Sequence, residues 1–413
     1  MKIIHISTSN TGGGAPRAVS RIHESLLINN IDSEIWVNYK NDIDYSVRGP
    51  LNKVIKYINL FKFYFSRIFV RLLKSENKVL HSPQLFPSFS WIKLINNSDA
   101  DLIHLHWFQH EMLSISDIKK IKKPLIWTLH DVWAFCGAEH VVYDNRFQEG
   151  YSKKNRPNSE FGFDLNKWVF KRKLKHWVKP IHLIAPSHWM EQNIRKSFLM
   201  KNWPVHVIPN TLNLKIWKPI EKKTSRQQLA LPQELNLILF GSASGTKEYH
   251  KGYDLLELAI KKLNNSKELQ NIGLVIFGQS KPKNPIKLNI PVFYLGYLND
   301  DLLMKTAYSS SDLVVVPSRI ESFCQVASEA NACGVPVVAF NASGLKTTIL
   351  HKKTGYLAKP FDIDDFVSGI TWVLKNNNPK LKNDCREFVI KRFDYDKVAK
   401  KHISVYKEVI NID

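Results

Sequence analysis

Cysteine is scarce: residues 136, 324, 333 and 385 are the only four in 413 positions, and none forms a Cys-x-x-Cys pair. That excludes a disulfide framework and a cysteine-based zinc ribbon, and it fits a reducing compartment. No stretch offers about 20 uninterrupted apolar residues, so no transmembrane helix is expected. The opening "MKIIHISTSNTGGG" turns polar by Ser7, too early for a secretory signal, and reads as a first β-strand. Neither the Gly-x-Gly-x-x-Gly of a dinucleotide site nor the Gly-Lys-Ser/Thr of a P-loop occurs. Acids are few as well, with 37 Asp and Glu against 59 Lys and Arg, a net charge of +22. Such a balance favours polyanionic partners: nucleic acid, anionic lipid headgroups or phosphorylated substrates.

What is present is globular. Hydrophobic residues make up 44% and charged residues 23%, outside the disordered range, and the length implies two or three domains. Short apolar runs alternate with helical segments, the pattern of parallel sheets covered on both faces. The first half supplies "KIIHIS", "DLIHLHW", "PLIWTLHDVW", "HLIAPS" and "HVIPN"; the second supplies "LNLILFG", "IGLVIFG", "VFYLGYL", "DLVVVPS" and "PVVAFN". The break falls in "IPNTLNLKIWKP", residues 208 to 219, where prolines and turn residues follow a strand. The expected organisation is α/β: two doubly wound Rossmann-like domains, 1–209 and 210–391, facing a central cleft, with 392–413 as a C-terminal helix returning toward the first domain.

Several segments at strand ends can carry chemistry. Gly12, Gly13 and Gly14 precede a helix expected to begin near Pro16, where backbone N–H groups could approach a phosphate or merely turn. His130 and Asp131 close "TLHD", where a histidine could hydrogen-bond the reacting part of a substrate or simply be a satisfied loop residue. Cys136, Glu139 and His140 could imitate a metal site but lack a second ligand cluster. Lys247 and Lys251 in "GTKEYHKGYDLL" could meet a diphosphate as point charges or be ordinary surface lysines.

The most specific stretch is "RIESFCQVASEANACGVP", Arg319 to Pro336. A buried strand, "DLVVVPS", precedes it, and a Gly-Val-Pro stop ends its helical periodicity. With the helix starting near Phe323, Glu321 lies in the preceding loop and Glu329 about two turns inside. Their spacing corresponds to roughly 12 Å of helical rise, the span from a sugar ring through a diphosphate to a ribose. The helix N-terminus between them would face the phosphates.

At this motif the chain resembles the retaining glycosyltransferase family 4 of GT-B fold, in particular members that build bacterial surface polysaccharides. The signature, Glu, seven residues, Glu, reads Glu321-"SFCQVAS"-Glu329, followed by "ANACGVPVVAFNASG" and "KTGYLAKPFD". The glycine-rich first loop, "TLHD", "IPNTLN", "HKGYDLL" and "YSSSDLVVVPS" lie in family order over most of the chain. By that resemblance Glu321 contacts donor sugar hydroxyls, Glu329 the ribose, Lys251 the diphosphate, and His130 the region of the anomeric carbon, while Gly13 and Gly14 close on the phosphates. The resemblance also implies transfer of a hexose-type sugar from a UDP- or GDP-sugar with retained configuration, without metal or other cofactor; no Asp-x-Asp stands in a convincing place. Two positions depart from the family. Thr246 stands where many members have arginine, so Lys247 would assist Lys251, and Phe323-Cys324 replaces Phe-Gly, narrowing backbone access to the donor.

Residues 51–75, "LNKVIKYINLFKFYFSRIFVRLLKS", contain no acid. Val54, Ile58, Phe61, Phe65, Ile68 and Leu72 form one helical stripe, with Lys53, Lys56, Arg67, Arg71 and Lys74 on another face. A helix of this kind either lies on an anionic membrane surface or packs its stripe on the sheet. A second acid-free run, "LNKWVFKRKLKHWVK" from Leu165 to Lys179, strengthens the membrane reading. The expectation is a cytoplasmic protein, peripheral at the inner membrane, acting on a glycan or lipid-linked glycan acceptor. The rivals are a GT-B protein that binds sugars or partners without turnover and, more distantly, a nucleic-acid-binding protein, for which no recognised module is present.

Overall fold

A computed structural model describes residues 1–40, 43–50, 52–75, 79–242, 245–266, 269, 271–285 and 288–411. The chain divides into two compact units, Met1–Ile208 with Ala399–Asp413, and Pro209–Val398.

Unit 1 contains strands β1 (Lys2–Ser9), β2 (Asp32–Tyr39), β3 (Val47–Arg48), β4 (Leu73–Ser75), β5 (Leu102–Leu105), β6 (Leu125–Thr128), β7 (Glu160–Gly162), β8 (His182–Ala185) and β9 (Val205–Val207). Its helices are α1 (Gly14–Ile28), α2 (Lys53–Leu72), α3 (Phe89–Asn96), α4 (Arg146–Glu149), α5 (Leu165–His176) and α6 (His188–Lys196). Among the described residues, seven strands form a parallel sheet in the order β3-β2-β1-β5-β6-β8-β9, and β4 pairs with β7 as a separate antiparallel ribbon. Alternation along β1 and β5 sorts their side chains. Ile4, Ile6, Ile103 and Leu105 enter the main apolar cluster, while His5 and His104, directly paired in register, occupy the opposite face.

Unit 2 contains α7 (Lys222–Gln228), β10 (Asn236–Gly241), α8 (Tyr253–Ser266), β11 (Ile272–Phe277), β12 (Val292–Gly296), α9 (Asp301–Ser309), β13 (Leu313–Val316), α10 (Gln325–Ala332), β14 (Val337–Phe340), α11 (Leu345–Thr348), β15 (Gly355–Ala358), α12 (Ile363–Lys375) and α13 (Pro379–Arg392). The parallel sheet runs β12-β11-β10-β13-β14-β15. Both of its faces are covered: along β10, Leu237 and Leu239 join one apolar cluster and Ile238 and Phe240 the other. Small residues let α10 lie close, and all six parallel strands end at one edge of the unit, where the loops after β10 and β13 meet.

The last helix, α14 (Tyr395–Ile410), counts with unit 1 from Ala399 onward. There the Tyr406 hydroxyl meets Nδ1 of His104 at 2.8 Å. Residues 392–398, grouped with the C-terminal helix on the sequence, belong to unit 2. The reason is Phe393, buried in that unit's core with its ring edge-on to Phe323 at 5.3 Å and to Phe388 at 5.5 Å.

Candidate functional site

In unit 2 the loop leaving β13 carries Glu321, and the turn before α8 carries Lys251. Lys251 Nζ donates to Glu321 Oε1 at 2.8 Å, and the Ser318 hydroxyl donates to the same oxygen at 2.9 Å. The turn is held there by Gly252. Its φ is +71°, and a Cβ on it would stand 2.0 Å from the Pro317 carbonyl oxygen, so only glycine permits this approach. On the other side Arg319 donates to both carboxylate oxygens of Asp254 and to the Tyr249 carbonyl, and its guanidinium lies over the Tyr249 ring. Behind Glu321, Gly344 N–H donates to the Glu321 carbonyl at 2.8 Å, and the Ser343 hydroxyl accepts from Glu321 N–H at 3.0 Å. Burial alone would raise the Glu321 pKa, but the Lys251 ammonium more than reverses this and holds it below the ordinary carboxyl value. Burial likewise works against the Lys251 charge, and Glu321 more than offsets it. Both groups are therefore ionised, and each keeps some access to solvent, with side-chain exposures of 25% for Lys251 and 13% for Glu321.

The helix after Glu321 starts at Gln325 in place of Phe323, so Glu329 lies little more than one turn inside it. Three expectations change as a result. Phe323 is 1% exposed and packs on Phe393, so its side chain belongs to the core and does not face a donor. Glu329 is also 1% exposed and accepts from the Tyr308 hydroxyl at 2.8 Å, so its carboxylate faces inward rather than open water. Cys324, the N-cap, adopts φ +80° and ψ 86°, a region that penalises any side chain with a Cβ. Burial pushes its thiol pKa up, so it stays protonated. Thr246 is tied to Gln279, whose Oε1 accepts from its hydroxyl at 3.0 Å and its N–H at 3.1 Å. Lys247 is exposed and enters none of the ion pairs found among the described residues.

In unit 1, Gly13 is the N-cap of α1, which begins at Gly14 and not near Pro16. A Cβ on Gly12 or Gly13 would meet nothing within 4 Å. Gly12 is required by its own backbone, at φ +104°, whereas Gly13, with φ −65°, is demanded neither by its conformation nor by packing and leaves room for a ligand to approach the backbone. His130 and Asp131, adjacent in sequence, separate in space. Asp131 Oδ2 accepts from Trp107 Nε1 at 2.8 Å and pairs with His140 Nδ1 at 2.7 Å, and its Oδ1 accepts from Trp133 N–H at 2.9 Å. His130 turns away: its Nε2 lies 3.0 Å from His106 Nδ1, and His106 Nε2 lies 2.9 Å from His5 Nδ1. Burial pushes the His130 pKa down to about 4, so the ring is neutral at neutral pH.

Cys136, Glu139 and His140 do not converge. His140 is held by Asp131 and by the Ser82 hydroxyl, and Glu139 accepts from the Tyr151 hydroxyl. Among the described residues, two groups do bring ligand atoms within 4.8 Å of one another: His5, His104 and His106, and His182, His206 and Glu408. In the first, both His104 nitrogens are already bonded, to Thr128 and Tyr406, and His5 and His106 are bonded to each other. Lys173 is a residue that the sequence does not single out. It belongs to the acid-free run, yet its ammonium is fully buried and donates to the carbonyls of Trp133, Cys136 and Gly137, bracing the loop after Asp131.

The stretch read as amphipathic begins at Leu51, which lies outside the described residues; α2 takes up the remainder from Lys53. Its apolar stripe does not pack on the sheet. Val54 is 65% exposed, Phe61 68% and Leu72 50%, while the helix buries Asn59 and Ser66. Asn59 explains the choice of face, since its Nδ2 donates to Asn38 Oδ1 at 3.0 Å. Lys53, Lys56, Arg71 and Lys74 are exposed and Arg67 half-buried. No helix among the described residues is long and apolar enough to cross a membrane.

Residues 40–215 match the family model described as Glycosyltransferase Family 4, and residues 221–392 match Glycosyl transferases group 1. The chain belongs to the family 4 glycosyltransferases and has their GT-B type of fold, two Rossmann-like domains with parallel sheets. It is 32% identical over 196 residues to an uncharacterized glycosyltransferase of Methanocaldococcus jannaschii, covering 45% of this chain and 48% of that one. It is 28% identical over 239 residues to the lipopolysaccharide 1,2-N-acetylglucosaminetransferase of Salmonella typhimurium, covering 53% and 60%. The matches thus span less than two thirds of either relative. Among solved structures, HepE of Anabaena in complex with UDP and glucose aligns with a TM-score of 0.66 at 16% identity, over 99% of this chain and 100% of that one. This last likeness is one of fold.

Proposed function

We propose that the chain is a retaining glycosyltransferase that moves a hexose-type sugar from a UDP- or GDP-sugar to a hydroxyl of a glycan acceptor, a lipid-linked oligosaccharide of bacterial surface polysaccharide synthesis. The observation that carries this reading is the Lys251–Glu321 pair, locked at 2.8 Å on the loops at the strand ends of unit 2. An arriving nucleotide-sugar would redistribute the pair: the diphosphate takes the ammonium as counter-ion, and the freed carboxylate accepts hydrogen bonds from sugar hydroxyls. Glu329 would share its carboxylate between Tyr308 and a ribose hydroxyl after a modest shift of α10. Gly13 and Gly14 would offer backbone N–H groups to the phosphates, and His130 a hydrogen bond to the sugar.

With lysine and backbone dipoles neutralising the leaving diphosphate, the reaction would need no metal. Transfer would proceed on the same face of the sugar, the departing phosphate taking the acceptor's proton. The name of the Salmonella relative supports the surface-polysaccharide setting, and the exposed basic, aromatic face of α2 supports peripheral contact with an anionic membrane at the cytoplasmic side.

A thermal-shift panel of UDP- and GDP-sugars tests the reading. At 100 times its Kd a matched donor adds about 2.7 kcal/mol of stability. Glu321→Ala should keep the fold and lose transfer; full activity in that variant would remove Glu321 from the site.

A further inference from the structure

His130 is not an isolated ring. It ends a line of three imidazoles, His130 Nε2 to His106 Nδ1 at 3.0 Å and His106 Nε2 to His5 Nδ1 at 2.9 Å. His106 is 1% exposed and His5 is fully buried. Each neutral imidazole has one N–H and one lone pair. Fixing the proton on one ring therefore fixes it on all three, and only two arrangements exist. In one, hydrogen bonds run outward from His5: His5 Nδ1–H donates to His106 Nε2, His106 Nδ1–H donates to His130 Nε2, and the His130 proton sits on Nδ1. In the other they run inward, and His130 presents a bare Nδ1.

The inner end of the line decides between them. His5 Nε2 is buried and has no hydrogen-bond partner among the described residues; His402, on the same face, makes no bond to it. The inward arrangement would strand an N–H at that atom, whereas the outward one leaves only a lone pair there. Orphaned buried donors are rarer than under-satisfied acceptors. No carboxylate intervenes, since Asp131 is committed to Trp107, Trp133 and His140.

We propose that His5 and His106 are positioning residues that fix the tautomer of His130, so that its Nδ1–H faces away from His106 as a hydrogen-bond donor to an oxygen of the bound nucleotide-sugar. In that role His130 donates a hydrogen bond and does not act as a general base. The ligand half of this inference rests on the reading of His130 as a site residue; the tautomer half stands without it.

Long-range proton–nitrogen correlation spectra of the full chain, labelled with 15N-histidine and assigned by loss of signal in His130→Gln, read the tautomer directly. The expected result is a protonated Nδ1 and a bare, hydrogen-bonded Nε2 on His130. A protonated Nε2 overturns the proposal whatever the activity. His106→Leu should shift the His130 Nε2 signal to that of a nitrogen without a hydrogen bond, release the ring from its fixed orientation and lower kcat about tenfold, the loss of one hydrogen bond, with a melting temperature reported alongside. His106→Gln, which can both accept and donate, should recover part of the rate. If the tautomer is as stated but His130→Gln transfers sugar at the wild-type rate, the positioning chain stands and the assignment of His130 to the donor site falls.

Discussion

The ammonium of Lys251 stands 2.8 Å from Oε1 of Glu321, with no other acid paired to that lysine among the described residues. Lys251→Met strands a carboxylate that burial already disfavours. Because the pair keeps some solvent access, the expected loss is about 2 kcal/mol, below the full range for buried pairs. Lys251→Met with Glu321→Gln should regain most of it. The pH dependence separates the two cases. In the wild type the folded Glu321 pKa is depressed, so its contribution is present above the unfolded value and is lost as pH falls. Without Lys251, burial raises that pKa, and the variant gains stability on acidification. Urea unfolding at pH 7 and pH 5 should show the gap between wild type and variant shrinking; a constant gap would mean the pair is not coupled as the geometry implies.

Cys324 tests whether the backbone at the start of α10 is strained. At ordinary positions glycine is less stable than alanine by roughly 0.5–1 kcal/mol. At φ +80° the order should invert: Cys324→Gly should exceed Cys324→Ala by about 1 kcal/mol, although both lose the same buried thiol. Chemical denaturation of the two variants measures this. Alanine equal to or above glycine would show that the loop relaxes to an ordinary conformation.

How far the sequence discloses this molecule depends on what each residue's neighbours do. The Val-rich run of β13 and the Gly-Val-Pro stop locate α10 to within two residues, because both signals are local. β2 and β15 escape, since "DSEIWVNY" mixes charges with apolar residues and "GYLA" is four residues long. Glu321 and Lys251 are legible as types, but their pairing depends on Gly252 approaching Pro317, a contact across 65 positions. The inward turn of Glu329 toward Tyr308 and the burial of Phe323 are invisible for the same reason. The histidine line hides in runs that read as plain apolar strands, "KIIHIS" and "DLIHLHW", where alternation puts every histidine on one face.

Buried histidines make unit 1 acid-labile. His23, His81, His110 and His130 are pushed by burial to about 4, and His402 to about 3. An unfolded histidine titrates near 6.5, so below that pH the unfolded chain binds more protons. Stability is full above about pH 6.5 and falls with acidification, by about 1.4 kcal/mol per pH unit for each such histidine. Tryptophan fluorescence follows this selectively, since only Trp217 and Trp372 lie in unit 2. Its thermal midpoint should drop steeply between pH 6.5 and pH 5. A flat midpoint over that interval would show that these rings accept protons in the folded state.

The exposed stripe of α2 sets a membrane surface against a structural helix in a way that one pair of substitutions resolves. Phe61 is 68% exposed and Ile68 49%, so Phe61→Ser with Ile68→Ser removes little packing. Its folding stability should stay within about 0.5 kcal/mol of wild type, as for other surface changes. Burying those side chains in a bilayer interface stabilises by an amount on the order of 1.5–3 kcal/mol each when complete, so the double variant should lose at least about tenfold in partitioning to phosphatidylglycerol vesicles. Lys53→Gln, Lys56→Gln and Arg71→Gln together should weaken binding mainly at low salt, because each cation near an anionic surface contributes about 1 kcal/mol and is screened within a Debye length. Cosedimentation with vesicles at two salt concentrations, beside a thermal melt, gives both readouts. Undiminished sedimentation of the serine variant would remove α2 from the membrane contact, and a collapsed melting temperature would mean that the stripe packs against protein after all.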